Sequence, residues 1–204
     1  MDTKAKLKHC EISEPIKFWR WIGEDMLGIV AKTNVYHTDI NNSNAPEKIF
    51  EQEAKFGNCQ IMNYGMDSGN KWCYLIGIYQ GANQQICCHM QLFLIEKRQQ
   101  QILSGFAATF TDMPVSDASD YKNSLFCFCE KKEGETTQKL HIMEIGNPAP
   151  NQQKFKKSAD IQMQDASDFP VLMQDCPRFG VVFIITKLGN LYMYEVSTAA
   201  LLYR

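Results

Sequence analysis

Four histidines and eight cysteines are the residues of this 204-residue chain best suited to metal binding or covalent chemistry. A structural zinc site needs thiolates or imidazoles at short, repeated spacings, so that a few turns of chain bring four of them to one ion. No pair of cysteines here has the C-x-x-C spacing. Cys127 and Cys129 lie two apart in an extended stretch and so share a face, whereas Cys87 and Cys88 point to opposite faces. The spacing predicts reduced, buried or half-buried thiols, with a zinc or disulfide framework as the alternative. His37, His89 and His141 recur at like positions of successive repeats, and His9 sits near a basic terminus. Equivalent positions around a disc cannot share an ion, so these read as ordinary strand histidines. Asp112, Asp117, Asp120, Asp165 and Asp168 are scattered among loops, and nothing selects an acid–base pair from them. The chain has no glycine-rich phosphate loop, no G-x-S-x-G and no H-E-x-x-H. The expectation is a protein without catalytic residues, metal or cofactor.

Short strands carry these residues. Stretch 180–196 reads as strand, tight turn, strand. Both arms are β-branched and aromatic, and Gly189 and Asn190 in the turn are suited to the positive φ of a tight hairpin. Such a pair recurs three times more, at 27–31 with 35–37, at 72–78 with 89–95, and at 124–129 with 139–145. One short apolar strand precedes each pair, at 18–22, 60–64, 107–111 and 169–173, and a brief fourth follows, at 48–50, 101–103, 157–161 and 200–203. The run Gln99-Gln100-Gln101 reads as a rim turn, and 51–56 as a helical turn at most. Four strands per unit with a period of ~45 residues is the pattern of a propeller blade. The WD dipeptide of the best-known blades is absent. The expected fold is all-β, a partial β-propeller of about four four-stranded blades. It forms one domain over 1–204, with repeats at 16–50, 60–103, 107–161 and 169–204.

Net charge is −2 and the sequence pI about 6.1, which leaves no electrostatic footprint for nucleic acid or a membrane surface. Hydrophobic residues make up 45%, enough for a packed core. The basic start of the chain has no apolar stretch of a secretory signal, and the longest apolar run, 181–185, is far too short for a membrane helix. A soluble, intracellular protein is expected.

Several strings, in order along the chain, carry a resemblance. They are Phe18-Trp19-Arg20-Trp21-Ile22, Asn34-Val35-Tyr36-His37, Lys71-Trp72, Met90-Gln91-Leu92, Leu125-Phe126-Cys127-Phe128 and Val182-Phe183-Ile184-Ile185-Thr186-Lys187, with stretches 57–64, 139–146 and 168–174. From about Lys4 onward the chain resembles the amino-terminal propeller of the clathrin heavy chain. The resemblance implies a WD40-like propeller of seven blades at the tip of a helical leg, which captures short linear peptides of adaptor and accessory proteins between blades. It further implies that this chain starts inside the second blade, stops at about the sixth, and lacks the leg.

Three of the family's peptide sites carry over in part or whole. The clathrin-box groove retains Lys4 and Lys6 but not its upstream apolar and glutamine partners. A central site for Trp-bearing peptides retains Gln60, Met62 and Ile78. A groove for arrestin-type loops retains Trp72, Leu92, Lys97, Gln101 and Leu103, with Lys156 or Lys157 of the next blade, of which Lys156 is taken. Lys97 stands where the family has arginine and forfeits its planar fork of donors. Taken without the family, a cleft with an apolar floor, an aromatic wall, lysines and a glutamine suits an extended peptide with apolar anchors and acidic flanks.

The partners implied are thus adaptors and accessory proteins, with membranes reached only through them, in the cytoplasm at coated pits and vesicles. No nucleic acid is expected. Open blade faces are expected to make the chain self-associating or dependent on a partner. The alternatives are a decoy or relic copy and, less favoured, an enzyme on a propeller scaffold.

Overall fold

A computed structural model of the chain describes residues 9–42, 44–82, 84–114, 122–131, 137–146 and 153–204. These form sixteen strands in four antiparallel sheets of four, with two short 3-10 turns, Ala54–Phe56 and Pro177–Phe179. The first sheet holds β1 (Ile16–Trp21), β2 (Met26–Ala31), β3 (Asn34–Asp39) and β4 (Glu47–Glu51). The second holds β5 (Gln60–Met66), β6 (Trp72–Gln80), β7 (Ile86–Leu94) and β8 (Gln99–Leu103). The third holds β9 (Ala107–Pro114), β10 (Lys122–Lys131), β11 (Thr137–Glu144) and β12 (Lys156–Gln162). The fourth holds β13 (Pro170–Cys176), β14 (Val181–Thr186), β15 (Leu191–Glu195) and β16 (Leu201–Tyr203). Each is a meander whose spatial order is its sequence order. The leading strands adjoin one another, β5 lying between β1 and β9, and β9 between β5 and β13. Meanders fanned side by side about their leading strands are the blades of a β-propeller.

The period of two residues along a strand gives each sheet two faces, and the inner sheets are apolar on both. On β6, Cys73 and Leu75 join the seam with the first sheet, while Tyr74 and Ile76 join the seam with the third. On β10, Phe126 and Phe128 face back to the second sheet, whereas Leu125, Cys127 and Cys129 pack on Met173, Val182, Ile184 and Tyr194 of the fourth. Cys127 and Cys129 therefore share a face, and burial pushes Cys73 and Cys88 up to about 12. All eight cysteines are free thiols. Aromatic pairs span the seams, with ring centroids 4.7 Å apart for Phe50 and Phe93, and 5.5 Å for Tyr74 and Phe110.

One contact explains a glycine. Tyr64 reaches from β5 into the first sheet, and a Cβ on Gly28 would come within 2.5 Å of its ring. With that space open, the Tyr64 hydroxyl meets His37 Nε2 at 2.6 Å. His37, His89 and His141 lie on β3, β7 and β11, one per sheet. His89 stacks on Tyr79, and His141 on Phe128 beside Glu130.

Two local expectations are corrected. Gln99, Gln100 and Gln101 are paired strand in β8 rather than a turn; the turn is 95–98, where Arg98 takes φ +50°. In the hairpin between β14 and β15 only Gly189 has positive φ, at +87°. Asn190 keeps ordinary backbone and spends its side chain on Asp168 instead, donating Nδ2–H to Oδ2 at 3.0 Å.

Phe126 is fully buried among Tyr74, Phe110 and Phe128. Phe126→Ala is expected to cost about 3–5 kcal/mol in urea denaturation, against under about 1 kcal/mol for Ile185→Ala on an exposed face. Burial lowers His37 from 6.5 to about 4, so the folded state holds it neutral. Its contribution is full above pH 6.5 and is lost as pH falls towards 4, by about 3 kcal/mol. Urea midpoints measured across that window should fall less steeply in His37→Gln than in the parent.

Candidate functional site

Register across the second sheet assembles most of the expected groove. Trp72 lies opposite Leu94, Tyr74 opposite Leu92, and Ile76 opposite Met90. Leu92 in turn faces Gln101, and Met90 faces Leu103. Directly opposed residues share a face, so Trp72, Leu92, Gln101 and Leu103 all look toward the third sheet. Leu92 is only 5% exposed, while Trp72 and Leu103 are half-buried against the same cluster. From the other side, Met143 and Ile145 of the third sheet pack into the same seam. Lys156 pairs with Met143 and shares its face, whereas Lys157 pairs with Ile142, which is buried toward the fourth sheet. Parity therefore puts Lys156 on the face of the third sheet that meets the second and Lys157 on the opposite face. Lys97 is exposed in the turn after β7, beside the start of β6, where the Ile95 N–H donates to the Lys71 carbonyl at 2.8 Å. Gln101 and Lys156 are likewise exposed.

Trp72 is held by a buried carboxylate. Asp67 Oδ1 accepts the N–H groups of both Lys71 and Trp72 at 2.7 Å, and the Asp67 N–H donates to the Trp72 carbonyl at 2.9 Å. This closes the turn between β5 and β6 and fixes where the indole leaves the backbone.

The central trio is brought together in part. Gln60 and Ile78 are cross-strand partners, while Met62 sits in the bulge of β5 between Ile61 and Asn63. Gln60 is exposed, Met62 packs into the seam of the second and third sheets, and Ile78 packs on a cluster of Cys88, Phe106 and Phe169. Lys4 and Lys6 lie outside the described residues.

A polar cleft on the leading strands escaped sequence reasoning. Arg20 Nη1 donates to Asn63 Oδ1 at 2.6 Å, Asn63 Nδ2 donates to the Tyr74 hydroxyl at 3.3 Å, and Asp175 completes its wall. Burial pushes Tyr74 up to about 12 against the pull of Arg20, and burial likewise raises Asp175. The arginine and aspartate lie on the first strands of different sheets, and no spacing in the sequence links them. Among the described residues, no His/Cys/Asp/Glu cluster has metal-binding geometry, and no helix is long and apolar enough to cross a membrane.

No family model matches the chain. It is similar along 100% of its residues to clathrin heavy chain 2 of Oryza sativa subsp. japonica, 38% identical over 213 residues. To clathrin heavy chain 1 of Arabidopsis thaliana it is 37% identical over 211 residues. To clathrin heavy chain 2 of Homo sapiens it is 32% identical over 201 residues, covering 97% of this chain. The chain spans 12% of the length of each of these relatives, in their amino-terminal region. Among solved structures, the N-terminal domain of Nup159 is similar over 92% of this chain and 46% of that one, at 9% identity and a TM-score of 0.49, too distant to carry an argument.

Asp67→Ala leaves the amides of Lys71 and Trp72 without their acceptor, and is expected to cost about 1–3 kcal/mol in thermal or urea denaturation. Asp67→Asn keeps an acceptor oxygen and should cost less than half as much. Equal losses in the two variants would show that the carboxylate does not hold this turn.

Proposed function

Because the chain is a relative, along its whole aligned length, of the amino-terminal region of clathrin heavy chains, we propose that it binds short linear peptides of adaptor and accessory proteins in the groove between its second and third sheets. The setting is clathrin-coated vesicle formation and intracellular protein transport, in the cytoplasm at coated pits and vesicles. Membranes are reached through the adaptors.

The observation that carries this reading is the shared face. Four of the six expected groove residues lie on adjacent strands of one sheet, and Lys156 shares the face of Met143, which packs in the same seam. The chemistry then follows from position. An extended peptide presents alternate side chains to a groove, so two apolar anchors can meet Leu103 and Trp72 above the Leu92 floor. Gln101 is both donor and acceptor, and suits the N–H and C=O of a peptide backbone. Lys97 and Lys156, both exposed, draw acidic flanks and speed encounter more than they deepen affinity. The cation at 97 is a lysine, a point charge rather than a bidentate fork, which favours carboxylates held loosely at the rim.

The test is fluorescence anisotropy with a labelled peptide of apolar anchors flanked by acidic residues. Gln101→Ala and Lys156→Glu should each weaken binding about tenfold, while Lys157→Glu leaves it within about twofold. Equal effects of the two lysine changes, or none from Gln101→Ala, would remove this groove as the binding site.

A further inference from the structure

A recess of about 610 Å³ opens at the other end of the sheets, where β6 turns into β7 and where connections lead into β9 and β13. Tyr79 and Ile86 form one wall. Phe106 and Phe169, 3% and 7% exposed with ring centroids 5.0 Å apart, form an apolar floor. Lys131 and Lys187 supply its charge, and among the described residues no carboxylate lines it.

Both lysines are held in place. Lys131 Nζ donates to the Ala166 carbonyl at 3.1 Å, which commits one of its three donors. Lys187 Nζ stands 5.6 Å from the centre of the Phe169 ring, a cation over a π face. Its backbone N–H donates to the Phe169 carbonyl at 2.9 Å. Asp168 fixes this corner by accepting from Thr186 Oγ1 at 2.7 Å and from the amides of Phe169 and Leu188 at 3.0 Å. Those bonds occupy a carboxylate that is itself buried, so it offers a ligand little competition for the lysines. Asp165 accepts the Ser167 amide at 2.7 Å and lies close enough to Lys187 for the two charges to interact, so a ligand's carboxylate shares that lysine with it. A concave site with an apolar floor, two cations and, among the described residues, no lining anion selects a ligand that is apolar at one end and anionic at the other.

We propose that this recess is a second peptide-docking site, for a segment in which a bulky apolar residue is followed at once by acidic residues. The apolar side chain lies on Phe106 and Phe169, and the carboxylates meet Lys131 and Lys187. The site shares no residue with the groove of Trp72, Leu92 and Gln101, and it stands whether or not that groove binds. Gln60, Met62 and Ile78 do not line it, although Ile78 packs behind its floor.

The probes are acetyl-Phe-Glu-Glu-amide and its uncharged counterpart acetyl-Phe-Gln-Gln-amide, added to the whole chain. Cys87, half-buried in the recess, reports occupancy through its rate of alkylation by iodoacetamide, with exposed Cys10 as internal reference. The glutamate probe is expected to slow alkylation of Cys87 but not of Cys10, and to shift the amide resonances of Ile86, Phe106 and Phe169. The glutamine probe should bind about tenfold more weakly, and Lys187→Glu or Lys131→Glu should weaken the glutamate probe to the same degree. Gln101→Ala should leave the glutamate probe unaffected, which separates this site from the groove. The proposal is overturned by equal binding of the two probes, by no protection of Cys87 at about 1 mM probe, or by affinity for phosphatidylserine vesicles without affinity for the peptides.

Discussion

The structure depends on a sheet having two faces and on the two inner sheets having both of them covered. Burial on one side only would leave one apolar face of such a meander in water. Here β7 sends Met90 and Leu92 one way and Phe93 the other, and both sets end in dry seams. Even Gln91, fully buried, is drawn into this scheme. Its amide accepts from the Glu53 N–H at 3.1 Å and donates to the Glu51 carbonyl at 3.1 Å and to Gln100 at 2.8 Å. A sheet packed in this way cannot slip by one residue without turning every apolar side chain to the wrong neighbour. Register is therefore the quantity that the seams enforce, and the sites inherit it.

The proposed groove and the recess share no residue. On the face of the second sheet turned to the third, half-buried Trp72 and Leu103 and exposed Gln101 surround buried Leu92, with exposed Lys97 in the turn after β7. Toward the hairpin ends, the floor of Phe106 and Phe169 is left beneath Lys131 and Lys187. Both sites, as proposed, join apolar surface to positive charge on a chain whose net charge is −2. Charge is thus arranged locally, at the mouths, and the long-range field of the molecule contributes little to recognition.

The repeating meander was legible because its signal is local: β-branched and aromatic runs with turn residues between them. The shared face of Cys127 and Cys129 followed from the period of two along a strand, and the placing of His37, His89 and His141 on the third strands of the first three sheets from the spacing of the repeats. The glutamine run was misread because polarity usually marks a turn, yet β8 is an outer strand whose Gln99, Gln100 and Gln101 are all exposed while their backbone is paired. Lys156 and Lys157 were indistinguishable by composition. Only the pairing of β11 with β12 decides which of them lies on the face toward the second sheet. The recess could not have been read at all, since its wall is gathered from segments between Tyr79 and Lys187 whose sole common property is their end of the sheet.

The claim on which all of this rests is the seating of each sheet against the next, and the aromatic pairs that bridge the seams report it directly. Nuclear Overhauser spectroscopy on selectively labelled phenylalanine and tyrosine should give cross peaks between Phe50 and Phe93, between Tyr74 and Phe110, and between Phe106 and Phe169, whose ring centroids lie 4.7, 5.5 and 5.0 Å apart. Absence of these cross peaks in a folded sample, or contacts from Phe50 to Phe126 in their place, would contradict the stacking of the four sheets and everything built on it.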